Sequence, residues 1–61
     1  MSDPDYLEYL NSLNLSELLA LEDDHPEDVD LLIRIGRTYL RAGELHRCNK
    51  YYSRALKIDP Y

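Results

Sequence analysis

Sixty-one residues make at most one small domain, and a chain of that size buries only about 60% of its unfolded surface. A lone cysteine excludes an internal disulfide, and no Cys/His cluster suggests a structural zinc. The net charge of −5 conceals a division: residues 1–30 hold ten acids and no Lys or Arg, whereas residues 31–61 hold seven bases against Glu44 and Asp59. Such asymmetry bears on partners and association more than on fold.

The opening MSDPDYLEYL is acidic and lacks a basic stretch leading into an apolar run, which argues against a secretory signal. No uninterrupted apolar stretch approaches the roughly 20 residues of a membrane span. With a single Cys48, these features lead to the expectation of a cytoplasmic chain without membrane contact.

In chain order, Asp3-Pro4 marks a helix start: proline's φ suits the first turn, and acids favour the positive end of the dipole. Tyr6, Leu7, Leu10 and Leu13 recur at helical spacing. Between Asn11 and Ser16 two readings stand, one long helix or two short ones with Ser16 capping the second. Leu15, Leu18, Leu19 and Leu21 carry the apolar stripe to the acidic turn EDDHPED. Pro26 opens the next helical segment, with Glu27 and Asp28 in its first turn and Leu32, Ile35, Tyr39 and Ala42 on one face. Gly43 suits the left-handed position past the helix end. Leu45, Cys48, Tyr52, Ala55 and Leu56 then share a face, and Asp59-Pro60 stops that helix. Amphipathic helices joined by so short a turn fold back as an antiparallel hairpin.

Gly36 stands mid-helix, where glycine costs roughly 1 kcal/mol relative to alanine. It lies on the inward side between Leu32 and Tyr39, so the missing side chain admits the returning helix, through Tyr52 or Ala55.

The series Leu32-x-x-Ile35-Gly36-x-x-Tyr39, Cys48-x-x-x-Tyr52, Ala55 and Pro60 resembles the tetratricopeptide repeat, whose pattern is W-x2-L-G-x2-Y…A-x3-F…P. Gly43 falls at the family's inter-helix turn. Leu32, Ile35, Cys48 and Tyr52 replace the large aromatic, the leucine, the alanine and the phenylalanine. The resemblance covers residues 28–61 and implies a first helix over 28–41 and a second over 44–58. Residues 4–24 read as a divergent or capping helical segment, although Pro26 and Pro60 stand one period of about 34 residues apart. The expected fold is all-α: a tetratricopeptide-like hairpin preceded by one or two N-terminal helices, in a single domain of the α-α superhelix type.

Catalytic signals are weak. His25 and His46 have no second ligand at metal spacing, Cys48 sits at the family's small buried position, and no carboxylate pair occupies an apolar context. There is no glycine-rich phosphate loop, and the acidic total argues against nucleic acid. The expectation is a non-enzymatic chain without metal or cofactor. The resemblance implies a protein-interaction module whose binding face comprises Asp30, Ile33, Arg37, Leu40 and Arg41. Arg37 and Arg41, one turn apart, suit an acidic or C-terminal peptide carboxylate. The alternative is a minimal or engineered structural repeat whose role is assembly. Because a repeat normally needs neighbours, self-association is expected, with a dimer favoured. In that expectation the acidic segment with Tyr6 and Tyr9 meets a second chain's basic flank of Arg47, Lys50, Tyr51, Arg54, Lys57 and Ile58.

Overall fold

The computed structural model describes residues 3–60, which form four helices: α1 (Pro4–Asn11), α2 (Leu15–Asp24), α3 (Val29–Arg41) and α4 (Leu45–Ile58). The all-α expectation is met, and the N-terminal segment consists of two helices. Short polar side chains cause that division. The Asp5 N–H donates to Asp3 Oδ1 at 2.9 Å and caps α1, with Pro4 in its first turn. The Ser12 hydroxyl donates to the Tyr9 carbonyl where α1 ends. Asn14, not Ser16, then caps α2 in a reciprocal box: the Glu17 N–H donates to Asn14 Oδ1 at 2.9 Å, and the Asn14 N–H donates to Glu17 Oε1 at 3.0 Å.

Pro26 does not open the third helix. It stands in the turn, and the first helical residue is Val29, with Asp28 as the cap accepting from the Leu31 N–H. The proline cue fits the first position of a helix, but here a better side-chain acceptor two residues later takes the cap. The far end of α3 closes with a Schellman motif. Gly43 has φ +79, its N–H donates to the Leu40 carbonyl, and the Glu44 N–H donates to the Tyr39 carbonyl at 2.9 Å. A left-handed φ carries no Cβ penalty only in glycine.

α3 is the hub, packing against each of the other three helices. Five of its residues are buried (Leu31, Leu32, Ile35, Gly36 and Tyr39), and they meet Cys48, Tyr51 and Ala55 of α4 with Leu10 and Leu18 from α1 and α2. A Cβ on Gly36 would lie 2.7 Å from Tyr52 Cε1 and 3.4 Å from the Cys48 carbonyl oxygen. Close approach by the Tyr52 ring therefore accounts for the mid-helix glycine.

Candidate functional site

Between α1 and α3 lies a cleft of about 160 Å³, lined by Leu7, Leu10, Asn11, Asp30, Ile33, Arg34 and Arg37. Helical spacing creates the α3 wall: residues 30, 33, 34 and 37 recur every three or four positions and share one face. Leu7 and Leu10 supply the opposite wall at the same spacing. One polar join ties α1 to the start of α3. The Tyr6 hydroxyl donates to Asp28 Oδ2, while Asp28 Oδ1 accepts from the Leu31 N–H. A single carboxylate thus caps α3 and tethers α1. Burial, then this hydrogen bond to Asp28, raises the Tyr6 pKa well above the usual tyrosine value.

The cleft combines apolar walls with two guanidinium side chains. Arg34 Nε is buried and has no hydrogen-bond partner among the described residues. A buried unsatisfied donor costs about 1–3 kcal/mol, so an acceptor reaching Nε would lower the energy of the site. Of the five residues expected on the binding face, Asp30, Ile33 and Arg37 line the cleft. Leu40 and Arg41 are exposed on the same helix but outside this lining. Arg34, Leu7, Leu10 and Asn11 were missed by the sequence reading. The first has a simple signal, since Arg34 lies one turn after Asp30 and three residues before Arg37. The other three depend on where α1 docks, which no local pattern encodes.

The residues expected to associate with another chain fall into two groups. Arg47, Lys50, Lys57 and Ile58 are exposed, as is Tyr9, which stacks on the half-buried Tyr6 with ring centroids 6.4 Å apart. Tyr51 and Arg54 are placed differently, and here the sequence reading needs correction. Tyr51 is buried, stacks on Tyr39 at 5.7 Å, and donates from its hydroxyl to Glu22 Oε1 at 3.0 Å. Arg54 Nη1 pairs with Glu22 Oε2, Nη2 donates to the Pro26 carbonyl at 3.1 Å, and the guanidinium lies 5.2 Å from the Tyr51 ring centre. Both side chains are committed within the chain because the end of α2 comes to α4. Burial, followed by the bond to Glu22, pushes the Tyr51 pKa up to about 12. Burial also raises that of Tyr52.

Among the described residues no group of His, Cys, Asp and Glu is arranged to hold a metal ion, and no helix is long and apolar enough to cross a membrane. Cys48 is a buried free thiol. The fold places the chain among all-α proteins built on a helical hairpin. In comparison with known proteins, it matches no family model, no curated protein and no solved structure.

Proposed function

We propose that this chain is a non-enzymatic protein-interaction module of the tetratricopeptide type, which completes its surface with a second chain and holds a peptide bearing a carboxylate. The observation that supports this reading most is the α1–α3 cleft, where Leu7, Leu10 and Ile33 adjoin Arg34 and Arg37. A peptide's C-terminal or acidic carboxylate suits forked guanidinium donors, and a neighbouring aliphatic side chain suits the leucine wall. Arg41, one turn beyond Arg37, extends the basic edge for further acids. The partner is thus a protein or peptide rather than nucleic acid, with no cofactor required.

Titration of an acidic peptide carrying a free C-terminal carboxylate tests the reading, read by fluorescence anisotropy. Charge-assisted hydrogen bonds contribute about 1.5–3 kcal/mol, so Arg37→Ala should weaken binding by about tenfold or more. Amidating the peptide terminus should weaken it similarly. Equal affinity of parent and Arg37→Ala would overturn the assignment.

A second reading, a minimal or engineered structural repeat whose role is assembly, draws on a different observation. Leu45, Leu56 and Ile58 of α4 are large apolar side chains left exposed. Failure of every carboxylate peptide to bind, together with self-association, would favour it.

A further inference from the structure

α2 and α4 form an unusual pair. α2 carries Glu17, Glu22, Asp23 and Asp24 and no base, while α4 carries Arg47, Lys50, Arg54 and Lys57 and no acid. The two helices meet where Glu22 bonds to Tyr51 and Arg54. That contact uses one charge from each helix. Glu17, Asp23 and Asp24 remain exposed on one, and Arg47, Lys50 and Lys57 on the other. Three exposed acids on α2 thus stand beside three exposed bases on α4, of which Arg47 lies 5.7 Å from the Tyr39 ring centre.

A surface divided in this way is complementary to itself. A two-fold rotation lays the acidic helix of one copy over the basic helix of the next and reproduces the same contact on the other side, the isologous arrangement of a closed dimer. From these observations we infer that the α2–α4 face is the self-association surface of this protein and that its occupant is the same face of a second copy. This deepens the proposed module by naming the chain that completes its surface.

Apolar contacts coincide with this placement. A shallow depression between α1 and α2, lined by Tyr9, Leu13, Glu17, Ala20, Leu21 and Asp24, flanks the acidic helix on its α1 side. On α4, Leu56 is two residues from Arg54, about 200° around the helix, and so lies on the flank away from the α2 contact. Leu56 is 60% exposed. A two-fold axis between α2 and α4 that runs along the face carries the second copy's Leu56 to the α1 side of α2, the side on which the depression lies. Carboxylates at its rim, Glu17 and Asp24, stand seven residues apart, as do Lys50 and Lys57. Both separations are two helical turns, about 10.5 Å, so opposed rims match in spacing as well as sign. Ala20 and Ser53 lie between them and permit close approach. Charge steers the encounter and apolar burial retains it.

The experiment is sedimentation of the full chain over a range of concentrations, with circular dichroism to verify helicity. The parent should move from one chain mass to twice that mass and no further, and added salt should slow association more than it loosens the formed complex. Two charge-reversed chains complete the test. Lys50→Glu/Lys57→Glu changes exposed positions only, and Asp23→Lys/Asp24→Lys adds cations at a helix C-terminus, where they are tolerated. Each alone should remain at one chain mass where the parent is dimeric. Their equimolar mixture should recover the dimer, because the reversed α4 of one then faces the reversed α2 of the other, and the two unaltered helices face each other with their native charges. A helical parent that stays monomeric at high concentration in low salt overturns the inference. Reversed chains that dimerise like the parent, or a mixture that stays monomeric beside a dimeric parent, do so too. Peptide titration of the same samples separates the two claims. A monomer that binds peptide defeats only the dimer, and a dimer that binds none defeats only the peptide module.

Discussion

The hairpin α3–α4 and the segment α1–α2 are held by different physics. Eight residues of the hairpin helices are buried, and the helices approach closely enough that Gly36 has no room for a methyl group. α1 and α2 each bury one leucine, Leu10 and Leu18. The rest of their attachment combines partly buried Tyr6, Leu13, Leu15, Leu19 and Leu21 with polar joins, Tyr6 to Asp28 and Glu22 to Tyr51 and Arg54. Burial is roughly proportional to apolar area, whereas polar joins yield modest net stability but high positional definition. The hairpin is thus the stable unit, and the N-terminal segment is a latched cover that shapes the cleft.

The largest expected effect comes from emptying the hairpin core. Ile35→Ala should cost about 2–5 kcal/mol and lower the denaturation midpoint of the whole chain. The matching change in the cover, Leu10→Ala, should release α1 without melting the hairpin. Tryptic cleavage or amide exchange would then rise selectively in α1. Equal global destabilisation by both would erase the distinction between the regions.

Gly36→Ala comes next. Alanine is the better helix former, but its methyl would meet the Tyr52 ring and press on the Cys48 carbonyl. Overpacking of this kind costs about 1–3 kcal/mol, because the Tyr52 ring, 2.7 Å from the added Cβ, must shift to admit it. Thermal melts should show a less stable variant. A variant as stable as the parent would refute close approach as the reason for this glycine.

A smaller effect concerns the latch and alkaline pH. In the folded chain the Tyr51 hydroxyl keeps its proton to about 12, against an ordinary value of 10.0. A raised folded pKa stabilises fully below the unfolded value, and the contribution disappears as pH climbs from 10 towards 12. Tyrosinate absorbance should therefore show a late step accompanied by loss of helix. Glu22→Gln removes the charge that helps to hold this proton, so the step should move towards lower pH. An unchanged titration would mean that Glu22 does not govern Tyr51.

These two regions also differed in how well they could be read from sequence. The hairpin follows from local spacing: Leu32, Ile35, Tyr39, Cys48, Tyr52 and Ala55 define facing stripes, and Gly43 defines the turn. The boundary of α2 carried a usable signal in Asn14-x-x-Glu17, which outweighs Ser16. Pro26 misled because the residues that fix a helix start are the acceptors near it, and Asp28 is better placed. The burial of Tyr51 was illegible for another reason. Its partner Glu22 lies 29 residues away, and only the docking of α2 brings them together. The cleft divides along the same line: its α3 wall of Asp30, Ile33 and Arg37 came from repeat position, and its α1 wall depends on the Tyr6–Asp28 join.

Native-state hydrogen exchange resolved by residue tests the latched-cover account most directly, at a concentration low enough to keep the chain monomeric. Amides of α3 and α4 around Leu32, Ile35, Tyr39, Cys48 and Ala55 should exchange only through global unfolding, the slowest route. Amides within α1 should exchange at least about tenfold faster, a difference of about 1.4 kcal/mol in opening free energy, with α2 intermediate. Uniform protection from α1 through α4 would contradict the account and make all four helices one cooperative unit.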